Sequence, residues 1–257
     1  MNPAQLLALH DQQQRIDVEY RNLRREATPD VVRHVALKQG EGFVLYSHLN
    51  AENADRVIDE QITYFESLGQ NFEWKTYDHD TPIDLKDRLV AHGFEAEEPE
   101  ALLVLDIDAA PLILLRPVTH DVRRVTEPDR LAEVRAVLES VWQSSHDWLI
   151  SSLRDDLEND PDHLSVYIGY ADDRPVSAAW ITFHARSQFA SLWGGSTLEE
   201  HRQRGFYTVL LAVRLQAAQR RGVRFLTIDA SPMSRPIVEK HGFQFLTMTQ
   251  PMKWRIK

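Results

Sequence analysis

The residues best suited to chemistry are Arg202-Gln203-Arg204-Gly205-Phe206-Tyr207, at the opening of a helix. The start of a helix leaves four backbone N–H groups without intrahelical partners. The helix dipole makes that end partly positive, worth about 0.3–1 kcal/mol per nearby anion. A pyrophosphate placed there would take several charge-assisted hydrogen bonds at once. Gly205 lets the backbone come close to the phosphates, and Arg202 and Arg204 add full charge. The turn is not a P-loop, because Phe-Tyr follows Gly205 where Gly-Lys-Ser/Thr would be needed. Taken without context, the same residues read equally well as two solvated arginines beside a tight-turn glycine.

The elements around the turn give it a setting. A strand is expected over Phe189–Thr197, then a short connection, then a helix over 205–221. Phe206, Val209, Leu210, Val213 and Ala217 fall on one face of that helix, at spacings of three and four. Arg214, Gln216, Gln219 and Arg220 fall on its polar side, and Gly222 suits the C-terminal cap. A strand at 224–229, a helix at 232–241 (Pro236 delaying its start) and a strand over Gln244–Trp254 complete this half. Before the turn come a strand at 122–126, helices at 128–142 and 148–158, and strands at 165–170 and 176–184 around Asp172-Asp173-Arg174-Pro175.

The N-terminal half reads as a helix over 3–26, then a hairpin of strands 31–37 and 43–48 around Gln39-Gly40-Glu41-Gly42. A helix at 51–68, stopped by Gly69, a strand over Phe72–Tyr77, a helix from Pro82 to Gly93 and a strand at 102–107 follow. Glu95-Ala96-Glu97-Glu98-Pro99-Glu100 reads as a solvated acidic loop, with recognition of a cationic acceptor as its functional reading. Asp108-Ala109-Ala110-Pro111, with Pro117 soon after, marks a boundary, giving domains 1–115 and 116–257. A repeat links them. Each half runs strand, Thr81-Pro82 or Ser231-Pro232, helix, then His92-Gly93-Phe94 or His241-Gly242-Phe243. Proline at a helix start and glycine past its end are also ordinary punctuation.

Composition narrows the class. The chain has 257 residues and no cysteine, so disulfides, thiolate metal sites and a cysteine nucleophile are excluded. No apolar run approaches the ~18–20 residues that span a bilayer, and the N-terminus lacks the features of a signal peptide. The expected location is the cytoplasm. The net charge of −10 divides unevenly, with −12 in residues 1–115 and +2 in 116–257. The overall sign disfavours nucleic-acid and anionic-membrane partners. The eleven histidines show no metal-ligand spacing, and no Gly-x-Ser-x-Gly elbow occurs.

The order strand, Arg-x-x-Gly turn, long helix, strand, helix, Gly-Phe over residues 116–257 resembles the GNAT superfamily of N-acetyltransferases. The signature Gln/Arg-x-x-Gly-x-Gly/Ala falls on Arg202, Gly205 and Tyr207, with Tyr where Gly or Ala is usual. The N-terminal half resembles a degenerate copy without the turn. The resemblance implies an α/β (α+β) chain of two tandem domains, each a mixed, mostly antiparallel sheet flanked by helices. It implies acetyl-CoA as co-substrate, no metal, and direct transfer of the acetyl group to a small-molecule or peptide amine. The coenzyme residues it implies are Gly195, Ser196 and Thr197 for the pantetheine arm, with Arg202, Gln203, Arg204, Gly205, Phe206, Tyr207 and Ser231. Gly194-Gly195 equally fits a bulge that needs no ligand.

Many relatives place a Glu at the position of Ser191 and a Tyr at that of Val238, and neither residue here replaces it. Ser234, His184 and His146 are the substitutes available: Ser234 one turn before Val238, His184 at a strand end with a pKa suited to a base, and His146 beside Asp147 where relatives build the acceptor pocket. The plain readings of the first two are a helix-start hydrogen bond and an exposed strand-end histidine. Trp142, Trp148 and Trp193 are expected as walls of that pocket or as ordinary core. The first function is an acyl-CoA-dependent N-acetyltransferase, monomeric or homodimeric. The alternatives are a non-catalytic acyl-CoA-binding or sensing protein and a protein-interaction module.

Overall fold

The computed structural model describes residues 1–38 and 40–256. Numbered along the chain, the first elements are α1 (Pro3–His10), β1 (Leu23–Ala27), β2 (Val31–Ala36), β3 (Gly42–Ser47), α2 (Ala54–Ser67), β4 (Phe72–Tyr77), α3 (Leu85–Ala91), β5 (Glu95–Ala96), β6 (Glu100–Asp106) and α4 (Leu112–Leu115). The remainder are β7 (Asp121–Arg124), α5 (Leu131–Trp142), α6 (Asp147–Asn159), β8 (Leu164–Ala171), β9 (Arg174–Phe183), β10 (Phe189–Thr197), α7 (Phe206–Arg220), β11 (Phe225–Ala230), α8 (Arg235–Glu239) and β12 (Gln244–Trp254). By contacts these form two units: residues 1–103 with 229–237 and 245–257, and residues 104–228 with 238–244.

In the first unit β1, β2 and β3 pair antiparallel, β3 pairs parallel with β4, and β4 pairs antiparallel with β12. Phe65, Phe72, Trp74, Leu89, Met252 and Trp254 fill its apolar core. The helix expected over 3–26 is cut short. α1 ends at His10, a π-turn runs over Asp11–Ile16, and 23–27 is a strand. The reason lies in Arg15. It is buried, donates to Leu45 O at 2.9 Å, pairs with Asp80 at 2.6 Å and Asp11 at 3.0 Å, and lies 3.8 Å over the Tyr77 ring. These bonds hold one turn in place, and pairing with β2 then overrides the helix propensity of Arg24-Arg25-Glu26. Glu95–Ala96, expected as loop, forms β5 on β12. Gln39 of the expected hairpin turn lies outside the described residues.

In the second unit β7, β8, β9 and β10 pair antiparallel, and β10 pairs parallel with β11. Leu131, Val134, Leu138, Leu153, Val166 and Ile168 belong to the core between α5, α6 and the sheet. The helix expected at 232–241, whose residues are divided between the two units, contracts to Arg235–Glu239 because Ser231 and Ser234 form a turn before it. On α7, Arg214 is buried rather than on the polar side, while Val209 and Val213 are only half-buried.

The repeat seen in the sequence is a repeat in space. In both units a strand leads through a crossover helix to a parallel neighbour, over three paired positions each: 42–44 with 72–74, and 189–191 with 225–227. Gly93 and Gly242 both take positive φ, at 96° and 91°. His92 reaches Asp55 and Asp59 on the crossover helix of its own unit, and His241 reaches Thr208 on the other.

Candidate acyl-coenzyme site

The turn ahead of α7 is built from two left-handed residues. Gln203 has φ 60° and Gly205 φ 87°. Glycine adopts this region without steric cost. A glutamine there is held by its surroundings, and such positions cluster at ligand clamps. The turn is braced from two sides: His120 Nε2 donates to Arg204 O at 2.9 Å, and Arg202 Nε donates to Thr197 O at 3.3 Å. Arg202, Gln203 and Arg204 are exposed. Gly205 is the N-cap of α7 and gives no side-chain cap, so the first-turn N–H groups face outward with the positive end of the dipole. The corresponding helix start in the first unit also has no side-chain cap, but its N-cap Asn53 has an ordinary φ of −104°. Asn50 Oδ1 accepts from the N–H groups of Glu52 and Asn53, Asn53 Oδ1 accepts from that of Asn50, and Asp55 stands in the first turn.

β10 supplies the second component. Its ladder with β11 stops at Ser191 opposite Thr227, and its register with β9 shifts between Gly194 and Ser196. Gly194 and Gly195 have φ 72° and 86°. A Cβ on Gly194 would stand 2.5 Å from the Trp180 ring, and one on Gly195 3.3 Å from that of Tyr207. The ring of Tyr207 therefore lies along the bulge. Beyond Ser191 the β11 side of this strand has no ladder partner among the described residues, an edge that an extended amide chain can join. Ser196 Oγ accepts from Trp142 Nε1 at 2.9 Å, and Ser177 Oγ donates to Ser196 O at 2.8 Å. These bonds fix the strand just past the bulge.

Beneath the bulge lies Arg214, 1% exposed. Its Nε donates to Leu210 O at 2.9 Å, and its Nη1 to Trp193 O at 3.1 Å and Trp180 O at 3.3 Å. Among the described residues no carboxylate pairs with it, and burial pulls its guanidinium down to about 10. Burying an unpaired charge costs several kcal/mol, offset in part by bonds from a charged donor at about 1.5–3 kcal/mol each. Sequence reading placed Arg214 on the solvent side, because charged residues are almost never fully buried unless paired. No local signal separates a cation satisfied by carbonyls from a solvated one.

The other candidates fall in separate places. His184, half-buried, follows the end of β9, and its Nε2 lies 3.3 Å from Ser191 Oγ, which lies 3.3 Å from Thr227 Oγ1. His163 stands beside it, ring to ring at 5.7 Å. Ser234 Oγ donates to Ser231 O at 3.3 Å, within the turn before α8. Ser231 Oγ lies 3.1 Å from Ser234 Oγ. His146 is the N-cap residue of α6 and donates from Nδ1 to Ser144 O at 2.9 Å. Val238 is fully buried. Trp142, Trp148 and Trp193 are 58%, 74% and 45% exposed, which removes the core reading for all three. Among the described residues no group of three or more His, Asp or Glu could hold a metal ion. No helix is long and apolar enough to cross a membrane.

A model of the acetyltransferase (GNAT) family matches residues 129–243, a span that holds both the turn and the bulge. Residues 129–243 are thus similar to a GNAT domain. No curated protein matches the chain in sequence. Among solved structures, a GCN5-related N-acetyltransferase from Kribbella flavida is 14% identical, with 99% of this chain and 96% of that one aligned at a TM-score of 0.73. A tandem GNAT protein from the clavulanic acid biosynthesis pathway is 12% identical over 93% of this chain and 85% of its own, at 0.64. A functionally unknown conserved protein from Staphylococcus epidermidis ATCC 12228 is 13% identical over 91% and 94%, at 0.67. These likenesses concern the fold: two tandem GNAT-like domains, each a mixed, mostly antiparallel sheet flanked by helices.

Proposed function

We propose that the protein is an acyl-CoA-dependent N-acetyltransferase that moves an acetyl group from acetyl-CoA directly to an amine. The observation that carries this reading is the left-handed turn Gln203 to Gly205 leading into the uncapped start of α7, within the span that matches the GNAT family. In this reading the pyrophosphate takes the N–H groups of 205–207 and the charges of Arg202 and Arg204. The pantetheine arm pairs with the backbone of Gly195, Ser196 and Thr197. The amine nitrogen attacks the thioester carbonyl, the carbon–sulfur bond breaks, and the thiolate leaves. An alkylammonium has a pKa of about 10.4, so a proton must be removed before attack. In this reading His184 accepts it through the Ser191 hydroxyl, a role supported by their 3.3 Å approach. Ser234 is spent on its own turn, and His146 on the start of α6.

The halves 1–115 and 116–257 are then duplicated copies, of which the first takes no coenzyme. Asp55, in the first turn of α2, opposes a phosphate in charge there. A sensing rather than catalytic role is favoured by one observation, that buried, hydroxyl-free Val238 stands where relatives carry a tyrosine.

Titration with acetyl-CoA, read by thermal shift, tests the shared premise, and no stabilisation at millimolar coenzyme overturns both readings. Release of free thiol across a panel of amines separates them. Arg204→Glu is expected to weaken coenzyme binding at least tenfold with the melting temperature unchanged. Unaltered affinity would refute the placement of the pyrophosphate.

A further inference from the structure

Arg214 joins three backbone carbonyls that have little else in common. Leu210 O belongs to its own helix, while Trp180 O and Trp193 O belong to directly opposed residues of β9 and β10. That rung is the second-last before the register shift, and the β10–β11 ladder has already ended two residues earlier. Between the end of one ladder and the break in the other, the strand is paired, among the described residues, on its β9 side alone. The guanidinium stands at that place, fully buried and facing no carboxylate among the described residues. A buried cation of this kind is a poor device for stability alone, since an apolar side chain of similar volume is commonly neutral or better.

We propose that Arg214 is a positioning residue for the coenzyme, anchoring the main chain of Trp193 so that Gly194–Thr197 present their backbone groups to the pantetheine arm. This inference rests on the proposed function. Tyr207 takes part from the same helix, two turns before Arg214, with its ring against Gly195. The helix that starts at the phosphate turn thus also holds the strand that receives the arm. A single rigid element sets the spacing between the two ends of the coenzyme site.

The test pairs hydrogen exchange on the coenzyme-free protein with acetyl-CoA affinity, for wild type, Arg214→Met and Arg214→Lys. Arg214→Met keeps the volume and removes every donor, while Arg214→Lys restores one. The expected result is exchange at least tenfold faster over residues 193–197 in Arg214→Met, with the protection of β8 unchanged. Acetyl-CoA affinity should fall tenfold or more in that variant and recover in part in Arg214→Lys, which serves alone should the methionine variant not fold. Unchanged exchange over 193–197 overturns the proposal, and so does faster exchange with undiminished affinity. Wild type that binds no acetyl-CoA overturns the proposed function and this inference with it. The exchange arm then still reports whether Arg214 anchors the bulge.

Discussion

His184, Ser191 and Thr227 form a short polar chain in which each contact is 3.3 Å. If this chain carries the amine's proton, His184→Gln should lower kcat by about 10²-fold or more, the range typical of general acid–base groups. The acetyl-CoA dissociation constant should hardly change, and equal loss in both would assign His184 to binding instead. A second prediction concerns acid stability. Burial depresses the imidazoles of His10 and His34, against the acceptors beside them. Below the unfolded pKa of about 6.5 the unfolded chain takes up protons that the folded one refuses, so stability is full above that pH and falls beneath it. Each histidine contributes a slope of up to about 1.4 kcal/mol per pH unit. The melting temperature should therefore decline from pH 7 to pH 5, and His34→Gln should flatten part of that decline. Asp11 acts lower still. Burial opposes its charge, but His10, His79 and Arg15 outweigh it and hold the carboxyl far below its ordinary value. Its contribution is lost only below about pH 4. At this scale the sequence announced the arginines and glycine of the turn by type and spacing. It did not announce Arg214, whose partners are main-chain atoms that no residue pattern marks.

Among the elements, α7 and β10 were legible because period and punctuation agree: apolar residues at three and four, glycine at the turn, glycine after the end. The segment 3–26 was not, because its fate depends on Asp80, Tyr77 and Leu45, residues 30 to 65 positions away from Arg15. Long-range pairing of this kind outweighs local propensity. The bulge in β10 yields a sharp prediction. In Gly194→Ala the new methyl meets the Trp180 ring and the backbone must hold a positive φ. The strained conformation alone costs about 1–2 kcal/mol. Thermal unfolding should register at least that loss, with coenzyme affinity falling alongside. A variant as stable as wild type would mean that the bulge relaxes, and that its shape is not required.

Across the whole molecule, the repeat was visible in a Pro followed about one short helix later by His-Gly-Phe, but the contact units do not follow the halves. β12 pairs with β4 from Trp254 opposite Phe72 to Thr249 opposite Tyr77, and Met252 and Trp254 sit in the first unit's core. No sequence pattern marks β4 as the neighbour of a strand about 170 residues later. Residues 1–115 expressed alone should accordingly fail to fold. Losing the burial of two large side chains removes about 3–6 kcal/mol from a total of about 5–15, before the ladder is counted. Near-ultraviolet circular dichroism and limited proteolysis would check this, and a cooperative melt of the fragment would contradict it. The same strand sets a timetable for biosynthesis. Some 140 residues separate Leu103 from β12, which at about 5–20 residues per second is roughly 7–28 s of translation. For that interval the first unit emerges from the ribosome with β4 lacking β12 as a neighbour, so the part of the protein made first is among the last to be completed.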